Sequence, residues 1–257
     1  MGDIDIEAAV RDFEAARDRG EHFPAAWFDR LSLDDAFRVQ LALIRRRSAQ
    51  PRQRRIGWKV GLTAKAIQEQ FGVHEPVFGC LLVEGRKPSG HVFRAAELIK
   101  PGFENELCIE LGRDLPAGAD SAAVAAAVAS IAPALEIIET RGDFTRQLAV
   151  ALADNAQQKA FVVGTKVRAA DMPDLVRVTA RVRINDEEVA SGTGAAVLGH
   201  PFNSVAWLAG KLAAFGEALR AGDVVMSGSF TRQFPLAAGD RVETAFEGVG
   251  NVMASVV

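Results

Sequence analysis

The chain is poor in the residues that most often announce a site. It has two cysteines in 257 residues, Cys80 and Cys108, both inside apolar segments and without metal-type spacing. Buried, reduced thiols are expected, and a thiolate metal site finds no support. No window holds about 18 uninterrupted apolar residues, so no membrane span is expected. The N-terminus, MGDIDIEAAVRDFEAARDRG, is acidic and amphipathic and has no signal-peptide apolar region. A cytoplasmic protein is the default expectation. An excess of charge of one sign is also missing: the formal net charge is -3 and the pI is near 5.9, which gives no field to recruit nucleic acid. The basic run RRRSAQPRQRR at 45–55 carries no interleaved aromatics and reads as a solvated helix end and loop. A G-x-S-x-G nucleophile elbow is missing, as is a glycine-rich dinucleotide loop. The glycine-rich SGTGAAVLGHP at 191–201 lacks the lysine and spacing of a P-loop and reads as a tight turn leading into a helix. Nucleophilic catalysis and a Rossmann fold are thus unsupported.

Hydrophobic residues make up 49% and charged residues 25%, enough apolar material for a sizeable core. Helical spacing covers residues 6–19 and 33–48, the second opening at SLDDAF, where Ser32 can cap and Asp34 and Asp35 favour the first turn. From about residue 55 the chain changes to short β-like segments: IGWKVGL, FENELCIEL, ALEIIE, KAFVVGT, LVRVTARVRIN, DVVMSGS and RVETAFEGV. IND at 184–186 reads as a hairpin turn. Helices are expected near 64–71, over SAAVAAAVASI and over SVAWLAGKLAAFGEAL. No repeat and no linker divides the chain. The expectation is one α+β domain over 1–257, with a helical region at 1–54 and a β-rich body at 55–257 whose sheet is mainly antiparallel or mixed.

The chemistry on offer is carboxylate chemistry. In PGFENELCIELGRD the apolar residues alternate, which predicts a strand with one buried face, and the opposite face carries Glu104, Glu106, Cys108 and Glu110. Glu104 and Glu106 are neighbours on that face and repel; water or a cation must compensate them. Glu136 interrupts the apolar run of APALEIIET, where an ionised carboxylate needs a partner or a metal. Arg141 offers a simple ion pair as the alternative. Three converging carboxylates without His or Cys would suit a hard cation, Mg²⁺ or Mn²⁺. Lys59, in the apolar IGWKVGL, either snorkels to the surface or has a lowered pKa suited to proton transfer. Its neighbours Gly57 and Gly61 permit close approach of a backbone or a ligand. SGSFT at 227–231 is either a turn or an oxygen-binding site, and His74 and His22 read as exposed loop histidines or as general bases.

Taken together, GWKVGLT, QEQFGVHEPVFGCLL, the E-x-E strand, PALEII, ADNA, FVVG and LGHPFNSVAWLAGKLAAFGEALRAGDVVMSGSFT fall in one order. That order resembles the 2-keto-4-pentenoate hydratase family, with its 2-oxohept-4-enedioate hydratases and 4-oxalocrotonate decarboxylases, within the fumarylacetoacetate hydrolase superfamily. The resemblance implies a β-rich roll with an N-terminal helical region, a homo-oligomer, and Mg²⁺ or Mn²⁺ held by Glu104, Glu106 and Glu136. It implies Lys59 as the proton-transfer residue and Leu62, Gln157, Ser229 and Thr231 around a small 2-oxo acid substrate. The implied reaction is hydration of a 2-hydroxy-2,4-dienoate in aromatic ring-cleavage catabolism. Decarboxylation of a 2-oxo-3-enedioate and C–C hydrolysis of an acylpyruvate are the alternatives. Two positions depart from the pattern: Val77 stands where hydratases resemble one another in having aspartate, and Gln157 where they commonly carry serine. A basic side chain such as Lys159 or Arg232 in the pocket would await a second carboxylate.

Overall fold

The computed structural model describes residues 4–257. Helices α1 (Ile6–Asp18) and α2 (Leu33–Arg47) open the chain, one residue shorter at their C-termini than the spacing predicts. Asp5 caps α1 by accepting the Ala8 N–H at 3.0 Å, and Ser32 with Asp35 forms a capping box on α2. Phe13 of α1 and Phe37 and Ile44 of α2 join one buried cluster that also takes in strand residues such as Trp58, Leu107 and Val252.

Strand β1 (Arg55–Gly61) follows, then α3 (Lys65–Gln70), β2 (Val77–Leu82), β3 (Arg86–Pro88), β4 (His91–Phe93) and β5 (Pro101–Leu111). Helix α4 (Ser121–Ala127) runs directly into β6 (Val128–Glu139). After α5 (Leu148–Ala153) come β7 (Gln158–Val163), β8 (Val167–Arg168), β9 (Thr179–Ile184) and β10 (Glu187–Thr193). Helix α6 (Pro201–Ala213) precedes β11 (Val224–Met226), β12 (Phe234–Pro235), β13 (Arg241–Phe246) and β14 (Gly250–Val256). A nine-stranded mixed sheet has the order β2-β1-β11-β5-β6-β7-β3, with β12 added to β5 and β8 to β6. A five-stranded sheet has the order β10-β9-β13-β14-β4. Its β9–β10 hairpin turns at Asn185 and Asp186, both with positive φ (51° and 71°), as a two-residue turn between twisted strands requires.

Several elements differ from expectation. The alanine-rich helix ends at Ala127, not 131, because Val128 and Ile131 are β-branched and Pro133 lies ahead; all three continue into β6. Helix α6 starts earlier than expected, at Pro201, where proline suits the first turn and His200 Nδ1 accepts the Phe202 N–H at 2.9 Å. It also ends earlier, at Ala213. The glycine-rich segment expected to be a turn begins as the end of β10, and its turn proper follows at Gly194–Gly199. Strand β2 is buried throughout and carries no alternation, and β14, whose buried Val252, Ala254 and Val256 alternate with Met253 and Ser255, was not expected either. Strand β5 is covered on both faces rather than one: Phe103, Leu107 and Ile109 face the main core, while Glu106 and Cys108 are buried on the other side. No helix among the described residues is long and apolar enough to cross a membrane. Cys80 and Cys108 are free and buried, and burial pushes each thiol up to about 12.

Candidate metal centre and the cavity beside it

The two longest strands build the centre. Strands β5 and β6 pair antiparallel over eleven positions of β5, and their register sets Glu104 opposite Glu136, with Glu106 two residues along the same face. One carboxylate oxygen from each of the three lies within 4.8 Å of the others. Glu106 and Glu136 are wholly buried, and Glu104 is partly open to the adjoining cavity. Arg141 does not neutralise Glu136: its guanidinium pairs with Glu139 at 3.2 Å and with Asp154. Glu110, farther along the face, pairs with Lys166 and accepts the Ser130 hydroxyl at 2.9 Å, so it is engaged elsewhere.

Lys59 reaches the cluster from β1. Its Nζ stands 3.5 Å from Glu136 Oε1, and its side chain is 6% exposed, so it does not snorkel. Space for it comes from absent side chains: a Cβ on Gly79, its partner across β1–β2, would sit 3.1 Å from Lys59 Cε, and one on Gly61 would sit 3.4 Å from Nζ. Burial alone would lower the Lys59 pKa, but Glu136, Glu104 and Glu106 together outweigh it and hold the ammonium form. The lowered value that a free base would need is therefore not what this environment gives.

The carboxylates show the opposite strain. Burial, reinforced by Glu104, lifts Glu136 to about 7 against the pull of Lys59. Burial lifts Glu106 well above its ordinary range, with repulsion from Glu136 and Glu104 added, and the Gly228 N–H opposes the shift by donating to Glu106 Oε2 at 2.8 Å. Burial also raises Glu104. Gly228 can make that donation because it has a φ of 102°, and a Cβ there would lie 2.5 Å from Thr63. Glu136 Oε2 and Glu106 Oε1 are buried without a hydrogen-bond donor, and Glu136 Oε1 has only the Lys59 ammonium at 3.5 Å. Three acids against one lysine make an incomplete charge set, and hard oxygen donors without His or Cys fit a divalent cation. The residues present fit such an ion.

A cavity of about 380 Å³ opens beside the cluster. Lys59 and Glu104 reach it, whereas Glu106 and Glu136 lie beneath. Leu62, Gln157, Ser229 and Thr231, which the resemblance placed around a substrate, all line it. So does Val77, 97% buried as an apolar wall. Three of the lining residues hold left-handed backbone without being glycine: Leu62 (φ 54°), Ala156 (φ 49°) and Gln157 (φ 60°). Such conformations cost about 1–3 kcal/mol each and persist only where neighbours enforce them. Gln68 Nε2 donates to the Leu62 carbonyl at 2.8 Å. Asn155, itself left-handed, accepts the Cys80 N–H at 2.7 Å and donates to the Cys80 carbonyl at 3.0 Å.

Other candidates fall outside. His74 is exposed and does not line the cavity, and its neighbour Glu75 pairs with Lys211 at 2.7 Å. His22 and Lys159 line a separate, smaller cavity with Arg141 and Asp154. The SGSFT segment, expected as a turn or an oxygen-binding site, supplies the Gly228 amide to Glu106, whereas the aromatic wall of Phe71 and Phe144, packed edge to face at 5.0 Å, was not expected. The positive φ of Gly228 leaves no mark in sequence beyond the glycine itself.

The arrangement defines a class: a β-rich scaffold with a three-carboxylate cluster, fit to hold a cation, beside a cavity. The chain belongs to the fumarylacetoacetate hydrolase family, whose C-terminal domain model, Fumarylacetoacetate (FAA) hydrolase C-terminal, matches residues 85–257. It is 37% identical to a 2-hydroxyhexa-2,4-dienoate hydratase of Comamonas testosteroni, over 86% of this chain and 84% of that one. Identity to 2-keto-4-pentenoate hydratase 1 of Dechloromonas aromatica is 35%, over 98% and 97%. Among solved structures, 4-oxalocrotonate decarboxylase from Pseudomonas putida G7, complexed with magnesium and adipate, superposes with a TM-score of 0.91 at 32% identity, over 98% of this chain and 97% of that one.

Proposed function

We propose that this chain is a divalent-metal-dependent lyase acting on 2-hydroxy-2,4-dienoates, and that it hydrates them to 4-hydroxy-2-oxo acids in aromatic ring-cleavage catabolism. The observation that carries the reading is the convergence of Glu104, Glu106 and Glu136 under a cavity reached by Lys59. Relatives named as hydratases and a solved neighbour with magnesium support it. Glu104, Glu106 and Glu136 would hold Mg²⁺ or Mn²⁺. Bound there, the ion supplies Lewis acidity toward the oxygens of a 2-oxo acid.

The chain's own residues can be set against the proton held at the 2-oxygen and the positioning of the substrate. Ketonisation moves a proton from the 2-hydroxyl to C5, leaving a 2-oxo-3-enoate. Lys59 is the group placed to hold and donate a proton at the 2-oxygen, since its ammonium is the cation beside the carboxylate cluster. Water then adds across C3=C4, its oxygen to C4 and its proton to C3. Leu62, Val77, Phe71 and Phe144 provide an apolar wall for the diene, while Gln157, Ser229 and Thr231 offer polar atoms to substrate oxygens.

A second reading has a specific observation in its favour. Glu104 is the sole acid among the lining residues, and Val77 offers no base to activate water. Loss of carbon dioxide from a 2-oxo-3-enedioate needs no such base: the C5–C6 bond breaks, its electrons shift to the 2-oxygen, and Lys59 can supply the proton there. The test is incubation with 2-hydroxypenta-2,4-dienoate, 4-oxalocrotonate and an acylpyruvate, with and without Mg²⁺, and identification of products by mass. Metal-dependent gain of one water supports hydration, and loss of carbon dioxide supports the second reading. Cleavage of the acylpyruvate alone, or turnover indifferent to metal, overturns the proposal.

A further inference from the structure

We infer that Arg232 receives a second carboxylate, so that the preferred substrate is a dicarboxylate rather than a 2-hydroxydienoate with an alkyl end. The inference rests on the lyase reading above for the first carboxylate and deepens it.

Arg232 lines the same cavity as Lys59 and Glu104. These three are the charged residues of its lining, and two are already committed: Glu104 to the cation cluster, and Lys59 to Glu136. Three carboxylates would be balanced by one lysine and one divalent ion. Arg232 is the cation left over. Among the described residues it makes no ion pair within 4.0 Å; its recorded hydrogen bond is from Nη1 to the Gln233 carbonyl at 3.2 Å. Arg232 is an exposed residue at the polar side of this cavity, beside Thr231 and Gln233 and across from the apolar Leu62, Ile67, Phe71, Val77 and Phe144, and a guanidinium there offers an alkyl tail no partner.

The group is also held in place. Its carbon Cζ lies 4.1 Å above the Phe234 ring, and that ring stacks on Phe103 with centroids 5.5 Å apart. Phe234 pairs with Phe103 in the β12–β5 register, and the Thr231 hydroxyl is bonded by Asn105, the residue between Glu104 and Glu106. The cationic fork is thus fixed to the strand that carries two of the cation ligands. Stacking on a ring face leaves the in-plane N–H groups free, which is the geometry that meets a carboxylate with two parallel bonds.

The experiment compares two substrates of equal length, 2-hydroxyhexa-2,4-dienoate, ending in methyl, and 2-hydroxyhexa-2,4-dienedioate, ending in carboxylate. Each is assayed with Mg²⁺ on the wild-type chain and on Arg232→Met and Arg232→Lys. The expected result is a diacid preference in kcat/KM that falls about tenfold or more in Arg232→Met, through KM, with partial rescue in Arg232→Lys. Equal losses on both substrates would assign Arg232 to the shared carboxylate and overturn the inference, as would an unchanged preference. Calorimetry with adipate and hexanoate on the Mg²⁺-loaded protein reads the same contact without turnover. If neither substrate reacts, the lyase reading fails, while stronger adipate binding that is lost in Arg232→Met still upholds the carboxylate site; equal binding of the two acids overturns it.

Discussion

Glu104 and Glu136 are directly opposite each other across the β5–β6 ladder, one from each of the two longest strands. Like charges at facing positions destabilise a sheet, and here a third acid, Glu106, adds to the repulsion. Such a set is stable only when it carries protons or a cation. Glu106→Gln removes one charge and keeps an oxygen that can still accept the Gly228 N–H. The variant is expected to lose Mg²⁺ affinity by at least about a hundredfold, with the apo protein as stable as wild type or more so. Isothermal calorimetry and thermal unfolding in a chelator check both halves, and unchanged affinity would refute the carboxylate site.

The raised carboxyl values fix how stability and metal binding depend on pH. A carboxyl with a raised value in the fold binds more protons folded than unfolded between its ordinary 4.5 and its folded value, about 7 for Glu136. Its favourable contribution is complete below that window and is lost as pH rises through it. Glu104 and Glu106 act in the same direction. The melting temperature in chelator should therefore fall across that window more steeply in wild type than in a Glu106→Gln, Glu136→Gln double variant. Mg²⁺ binds the deprotonated set, so its affinity should rise over the same window and flatten or reverse the slope. Melting curves with and without Mg²⁺ at several pH values give the answer.

Lys59 balances the cluster and reaches the cavity, and the two roles separate on substitution. Lys59→Met should retain Mg²⁺ but lose about 10²–10⁴-fold in kcat, the usual scale for a proton-transfer group. It should also melt lower than wild type in chelator, because Glu136 loses its one nearby cation, and recover with Mg²⁺. Wild-type turnover in this variant would reduce Lys59 to a structural counter-ion.

The carboxylate pattern was legible because β-strand periodicity is rigid: Glu104 and Glu106 had to share a face whatever the fold, and Glu136 was conspicuous in an apolar run. What alternation cannot show is which strand lies alongside, so the pairing of Arg141 with Glu139 and Asp154 rather than Glu136 became visible only with the register. The helix ends at Ala127 and Pro201 were misjudged because alanine propensity and apolar spacing extend past the point where sheet pairing or a proline decides. The Gly228 amide and the left-handed run Asn155–Ala156–Gln157 are backbone features. A side-chain pattern carries no trace of them, apart from the permissive residues Gly228 and Asn155 themselves.

That run yields the last prediction. Asn155 holds the Cys80 N–H and carbonyl with one side-chain amide, which ties the left-handed turn to β2 beside Lys59's partner Gly79. Asn155→Ala removes both bonds and also puts alanine at φ 58°, which asparagine tolerates better. A loss of roughly 2–4 kcal/mol in denaturant unfolding is expected, from two buried backbone groups left unpaired and from strain. Asn155→Gly removes the same bonds but adopts that φ freely, so it should recover part of the loss in the folded state while adding unfolded-state entropy. If both variants raise KM because Gln157 and Ala156 are no longer held against the cavity, the amide clamp is what positions them. If Asn155→Gly binds substrate as wild type does, the backbone conformation alone suffices and the clamp serves stability only.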